Sequence, residues 1–154
     1  MAHVLLSFHS NTSASLKLYQ AEIEIEIGKF GRDSLPQFTH WKKEVAVERA
    51  IRTISETFGL AGSYLGVRDL WEIHGATNGV RSIIGNYNDN RFNCLFENAC
   101  QISHHRDDFM HVLRGDNLKL KAVRADLACP VIATMLQALG LMYVLMTGPW
   151  HTGS

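Results

Sequence analysis

The sequence is short of charge, and the charge that it carries is balanced. Of its 154 residues, 19% are charged, and 15 Lys and Arg match 15 Asp and Glu, so the net charge is zero with neutral histidines. An overall field that would draw the chain to nucleic acid or to an anionic membrane is therefore not expected. With 46% hydrophobic residues, the length suits one folded domain with its own core, and we take residues 1–154 as that domain.

Cysteine is scarce as well. The chain has three cysteines, Cys94, Cys100 and Cys129, and none of them forms a C-x-x-C pair. An odd number without a disulfide framework fits reduced thiols in a reducing compartment. The first ten residues contain neither the basic segment nor the long apolar run of a secretory signal. We therefore expect an intracellular protein, in the cytoplasm or the nucleus.

The usual signatures of catalysis are also missing. The sequence has no Gly-rich phosphate loop, no G-x-S-x-G elbow, no H-E-x-x-H and no Cys/His zinc spacing. These absences predict a chain that is not an enzyme, that needs no cofactor and whose partner is a protein. Nucleic-acid binding stays open, because Arg114, Lys119, Lys121 and Arg124 form a short basic patch. The patch lacks interleaved aromatic residues, so a solvated helix face explains it equally well.

Helical periodicity is the main pattern that the sequence does contain. Between Thr39, a candidate cap, and Gly59, apolar residues recur at helical spacing: Trp41, Val45, Ile51, Ile54 and Phe58. The same criteria predict further helices at 63–74, 91–113, 118–128 and 131–146, with Pro130 in the first turn of the last. The predicted fold class is mainly α, a small helical domain.

The segment 13–31 fits two structures. Three isoleucines alternate with three glutamates across residues 22–27, and this period of two, with β-branched residues, favours a half-buried strand. A helix also fits, but it would expose Leu18 and Ile25. We favour a strand over 18–27, paired with HVLLSF as one N-terminal β-hairpin, which would make the fold α+β.

The C-terminal apolar stretch also has two interpretations. No charged residue follows Leu127, and residues 129–148 approach the ~20 residues that span a bilayer. Basic residues precede this stretch and Trp150 follows it, as in a tail anchor. Pro130 and Gln137 dilute its apolar character, which favours a buried helix. A membrane is therefore not the expected partner.

The segment ISHHRDDFMH concentrates histidine and aspartate on one stretch of chain. On a helix, His104, Asp108 and His111 would share a face, with Glu97 further back on the same side. Imidazole and carboxylate groups at this spacing could chelate zinc or transfer protons. The face lies opposite the apolar stripe, however, so contact with water also explains its polarity. We favour an exposed polar face over 97–111, with no metal ligand and no catalytic residue.

Three motifs in the second half of the chain resemble a known family. They are Asn-Arg-Phe-Asn-x-Leu-Phe at 90–96, Ala-Val-x-x-Asp-Leu at 122–127 and Ala-Leu-Gly-Leu at 138–141. They are similar to the C-terminal part of long uncharacterised animal proteins, which resemble domesticated or decaying transposable-element proteins related to hAT-type transposases. The similarity covers residues 80–150, and residues 1–75 lie outside it.

The resemblance carries expectations about function. Enzymes of the hAT type use three acidic residues on an RNase H-like fold, and the sequence shows no such spaced trio. The resemblance thus implies a helical segment of a larger polypeptide, inactive as a transposase, and assigns no catalytic residue. We expect a non-catalytic binding or structural helical module. Two alternatives stay open: a metal-binding protein or metal-assisted hydrolase using the 97–111 face, and a tail-anchored membrane protein through 129–148.

Overall fold

The chain folds as a set of helices. The computed structural model describes residues 2–59, 66–80, 94–115 and 117–147, with side chains from residue 11 to residue 145 within those ranges. These ranges contain seven α-helices and no strand: α1 (Ala2–Ile27), α2 (Ala46–Phe58), α3 (Val67–Asn78), α4 (Cys94–His104), α5 (Arg106–Val112), α6 (Leu118–Ala128) and α7 (Pro130–Met142). The prediction of a mainly α fold is confirmed.

The core lies between α2, α4, α6 and α7, with α4 and α7 forming the closest pair. Gly140 of α7 makes this approach possible, because a Cβ at this position would lie 2.9 Å from the Cα of Cys100. On α2, the residues Ile51, Ile54 and Phe58 are completely buried, as their spacing predicted. The apolar faces of these helices therefore supply one shared core.

The start of α2 differs from the prediction, whereas its end agrees. The helix begins at Ala46 and not near Thr39, and it is followed by Gly59 as predicted. Its first turn is capped from a distance: the N–H of Ala46 donates to Oε1 of Gln20, on α1, at 2.7 Å. The cap residue Val45 makes no capping bond of its own. A partner 26 residues away in the chain cannot be recognised from local spacing.

The N-terminal segment is a helix, so the predicted strand over 18–27 and its β-hairpin are wrong. α1 continues to Ile27 and ends at Gly28, which has a φ of 84°. A residue at this φ is in the left-handed region that favours glycine and commonly ends a helix. The segment is rich in Leu, Lys, Gln, Glu and Ala, which are good helix formers. A helix also pairs its own backbone groups, whereas a strand needs a neighbouring strand.

The predicted long helix over 91–113 is divided into α4 and α5. Residues 91–93 lie outside the described residues, and His105 separates the two helices with φ −108° and ψ 22°. The hydrogen bonds on either side persist, since the His105 N–H donates to the Gln101 carbonyl at 3.1 Å and the His105 carbonyl accepts from the Phe109 N–H at 3.0 Å. The break is therefore a local bend within one helical stretch.

The predicted second helix, α3, is displaced along the chain. The predicted start, residue 63, lies outside the described residues. The helix starts at Val67 and continues past its predicted end at residue 74, through Gly75. It ends instead at Gly79, where φ is 68°. The left-handed geometry at the later glycine decides the end.

A buried charge cluster ties the loop after α1 to α2 and α6. Asp126 is fully buried and accepts hydrogen bonds from Arg32 Nε at 2.9 Å and from Arg49 Nη2 at 2.9 Å. Arg49 also donates to both carboxylate oxygens of Asp33, at 2.9 and 3.0 Å. Gly31 has a φ of 64°, and a Cβ there would lie 2.7 Å from Asp126 Oδ1. Arg49 is thus a charged side chain on the buried part of α2.

The pKa values of the two guanidinium groups in this cluster are shifted in opposite directions. Burial lowers the pKa of Arg32 and is only partly opposed by Asp126. For Arg49 burial also acts to lower the pKa, but hydrogen bonds and attraction from Asp126 and Asp33 outweigh it and raise the pKa. Arginine stays protonated in proteins, and here two guanidinium groups face two carboxyl groups. Loss of one member would leave a buried charge without compensation.

The C-terminal apolar stretch forms α7 and a π-helical turn at Tyr143–Thr147, which agrees with the predicted helix over 131–146. Only one face is buried: it carries Ile132, Met135, Leu136 and Leu139. Gln137 lies on the exposed side. Among the described residues no helix is by itself long and apolar enough to cross a membrane. Within the same residues, only α6 together with residues 130–145 reaches that length and hydropathy, as a pair bent by 71°.

Candidate functional site

The structure divides the polar face predicted over 97–111. Glu97, His104 and His111 are exposed, as expected. Asp108 is half-buried, with 33% of its side chain accessible, so the prediction of an open face is wrong for this residue. α5 begins after the bend at His105 and packs against α3. The predicted single helix with one solvent-exposed side is thus two helices, and their polar faces have different neighbours.

A histidine from α3 covers the α5 part of this face. His74 Nε2 lies 2.8 Å from Oδ1 of Asp108, and the ring centroids of His74 and His111 are 5.2 Å apart. The Asn78 side-chain amide lies 3.2 Å from Nδ1 of His74. An amide that donates to Nδ1 leaves the ring proton on Nε2, where it can be donated to the carboxylate. Both ring nitrogens of His74 then have a hydrogen-bond partner, Asn78 at Nδ1 and Asp108 at Nε2.

His111 and His105 have other contacts, made within their own stretch of chain. The ring of His111 has Nε2 at 3.0 Å from Arg114 Nη2. His105 Nδ1 is 3.7 Å from the second oxygen of Asp108. Burial lowers the pKa of His105, neighbouring His104 lowers it further, and Asp108 opposes both effects. These contacts lie within α5 and its flanking residues, whereas the pair of His74 and Asp108 joins α3 to α5.

An aromatic stack lies directly beneath this cluster. Trp71 of α3 stacks on Phe109 of α5 with ring centroids 4.3 Å apart, and Phe58 of α2 lies 4.6 Å from Phe109. His74 stacks on the outer part of the Trp71 system at 5.9 Å. Within the described ranges, no group of three or more His, Cys, Asp and Glu side chains has a geometry suited to hold a metal ion. The cluster is arranged as a seam between helices.

α1 carries a second and different feature, on the side that faces away from the core. Ala14, Leu18, Ala21 and Ile25 are all exposed; Leu18 is 69% and Ile25 is 85% accessible. Successive members are four, three and four residues apart, so helix geometry places them within about 60° of one another. We call these four residues the outer stripe. Their spacing is that of the a and d positions of a coiled-coil seam.

The opposite side of α1 faces the protein body. Leu16 and Ile23 pack against the core. A groove of 510 Å³ lies between α1 and α7, and its walls are mostly apolar, formed by Asn11, Thr12, Ser15, Leu16, Tyr19, Thr134, Met135, Ala138, Leu139 and Met142. A second groove lies between α1 and residues 43–45, and Ala21 of the outer stripe is one of its lining residues. The other three members of the outer stripe, Ala14, Leu18 and Ile25, line neither groove.

The outer stripe could have been found in the sequence, but it was interpreted as evidence for a strand. The expected exposure of Leu18 and Ile25 counted against a helix, on the assumption that large apolar residues must be buried within the chain. The heptad spacing from Ala14 to Ile25 was the signal that pointed the other way. Three features needed the structure, because none of them follows from local spacing: His74 beside Asp108, Gln20 at the start of α2, and Asp126 between Arg32 and Arg49.

Comparison with known proteins found no family model, no curated protein and no solved structure that matches the chain. A functional assignment therefore rests on the features described above.

Proposed function

We propose that this chain is a non-catalytic helical module that binds another protein through α1. The outer stripe is the observation that supports it. Isolated exposed apolar residues are common on protein surfaces, whereas a contiguous apolar strip is typical of an interaction site. In this chain two large aliphatic residues, Leu18 and Ile25, alternate with two alanines along a straight path. Such a helix can lie against a second helix with its backbone close by.

The rest of the protein serves as the support for this helix. The core between α2, α4, α6 and α7 forms without the outer stripe, and α1 is attached through its inner face and through Gln20. A partner could therefore bind α1 without opening the core. A site on a preformed regular element needs little reorganisation on binding, which favours affinity.

The experiment compares the partners captured by the wild-type chain with those captured by a stripe variant. Leu18→Glu/Ile25→Glu places charges in the strip and should reduce recovery of stripe-dependent proteins by about tenfold or more, because a charge in an apolar interface must lose its water. Ile73→Glu on α3 is the matched control, since Ile73 is also an exposed isoleucine, with 63% accessibility. Equal recovery with all three chains would contradict the proposal.

We also propose, as a separate point, that the three family-like motifs identify a remnant of a transposase-like protein. Those of their residues that the structure describes include buried core positions, such as Leu95, Phe96, Leu127 and Leu139. This placement supports a role for the motifs in the fold and not in catalysis. Finding α4, α6 and α7 packed in the same order in an hAT-type protein would test the relationship.

A further inference from the structure

The outer stripe has a regular alternation of size that restricts what can cover it. Small and large residues follow one another: Ala14, Leu18, Ala21 and Ile25. If a second helix lies antiparallel across the stripe, each a position meets a d position of the other helix. With the two-fold axis between residues 19 and 20, Leu18 faces Ala21 and Ile25 faces Ala14 of the second helix. Every large side chain then meets a small one.

A parallel arrangement of two identical stripes would pack less evenly. Leu18 would meet Leu18 and Ile25 would meet Ile25, while each alanine would meet an alanine. The alanine layers would be left underpacked if the large layers set the distance between the helices. Interiors tolerate such gaps poorly, because atoms beside a void lose their dispersion contacts.

The charges beside the stripe fit the same antiparallel arrangement. Lys17 and Glu24 border one side of it, along the groove that α1 forms with residues 43–45, and Glu24 accepts a hydrogen bond from Gln20 Nε2 at 3.1 Å. The axis that pairs Leu18 with Ala21 also brings Lys17 opposite Glu24 of the second helix, twice by symmetry. On the other side Glu22 would face Ser15, a hydroxyl that can donate to a carboxylate. Among these bordering residues no like charges are paired.

We propose that the partner of the outer stripe is a second copy of this chain, bound antiparallel through α1. This inference rests on the proposed function, since it identifies the partner of the same surface. The stripe lies opposite the core-facing side of α1, so the two protein bodies would flank the helix pair from outside. The surface is isologous, as expected for a two-fold dimer.

The first test is the mass of the full-length chain in solution as a function of concentration. Between about 1 μM and about 1 mM, a range that covers weak dimers, sedimentation should show a shift from the 17.3 kDa monomer toward twice that mass. Leu18→Glu/Ile25→Glu should weaken the dimer by about tenfold or more, since four charges would meet in one seam. Ile73→Glu should leave it unchanged.

Thermal unfolding of each variant at low concentration checks that the monomer is intact. All three substituted residues are exposed, so the midpoint should change little. A wild-type chain that stays monomeric to the highest concentration would overturn the inference. A dimer that the stripe variant does not weaken would overturn it too.

A charge swap separates the antiparallel arrangement from a parallel one. Lys17→Glu alone, or Glu24→Lys alone, should weaken the antiparallel dimer, and the double variant should restore it because the pairs re-form with reversed sign. In a parallel dimer Lys17 would lie near Glu22, and Glu24 near Lys29. The double variant would then bring together like charges and remain weak. Rescue supports the inference, and failure of rescue contradicts the antiparallel arrangement.

The outcome also distinguishes this inference from the proposed function. A monomeric wild-type chain that still captures other proteins through the outer stripe would refute the second copy as partner and retain the binding module. A monomeric chain with no stripe-dependent partner would refute both.

Discussion

Helices α7 and α1 use similar apolar side chains in opposite ways. In α7 the residues Ile132, Met135, Leu136 and Leu139 are spaced to lie on one face, and each is at most 3% accessible. In α1 the isoleucines and leucines alternate with polar residues, so a helix distributes them over two faces. Its own core covers only one of these, and Leu18 and Ile25 remain exposed. A period of two on a helix thus leaves an apolar face available for another molecule.

The largest loss of stability should come from the buried charge cluster that joins the loop after α1 to α2 and α6. Asp126→Asn leaves Arg32 and Arg49 buried without their shared carboxylate. We expect the free energy of unfolding to fall by about 3–5 kcal/mol, the cost of breaking a buried ion pair from one side. Chemical denaturation measures it, with Asp107→Asn, whose side chain is fully exposed, as the control. Equal stability of both variants would show that the cluster contributes little.

The same substitution on the two kinds of helix tests the comparison directly. Ile51 of α2 is completely buried and Ile25 of α1 is 85% accessible. Ile51→Ala should lower the free energy of unfolding by about 2–5 kcal/mol, as for other large-to-small core changes. Ile25→Ala in the dilute monomer should change it by less than about 0.5 kcal/mol. Similar losses at the two sites would mean that α1 belongs to the core after all.

A smaller effect should reveal how far α1 stabilises the core. Gln20→Ala removes the acceptor of the Ala46 N–H at the first turn of α2. We expect a loss of about 1 kcal/mol, which is typical for removal of a helix cap. Gln37→Ala, an exposed glutamine in a short turn, is the matched control in urea denaturation. An unchanged midpoint would indicate that water caps α2 equally well.

The smallest effect should be a pH dependence at the seam between α3 and α5. Burial, reinforced by His104, lowers the pKa of His105 below its ordinary value of 6.5, so the folded state favours the neutral ring. Stability from this residue is therefore present above pH 6.5 and declines as the pH falls toward the lowered pKa. Thermal midpoints at about pH 5 and about pH 8 should differ less in His105→Gln than in the wild type. An equal difference would assign the pH dependence to other groups.

Local patterns in the sequence predicted several elements well. The helical spacing of Ile51, Ile54 and Phe58 identified the buried face of α2, and Gly59 marked its end. Pro130 in the first turn marked the start of α7. These predictions succeed because helix periodicity and the conformational limits of glycine and proline act within a few residues.

The sequence by itself determined the helical class and the positions of the main apolar stripes, because these follow from the spacing of neighbouring side chains. The heptad spacing of the outer stripe is present in the sequence, but only the tertiary structure decided between helix and strand for α1. It also decided that Gln20 caps α2, that Asp126 joins two arginines and that His74 covers Asp108. Each of these pairs is separated by many residues, and their contact depends on how whole helices pack around the shared core. A side chain's neighbours across the core are fixed by that packing, which local spacing does not specify.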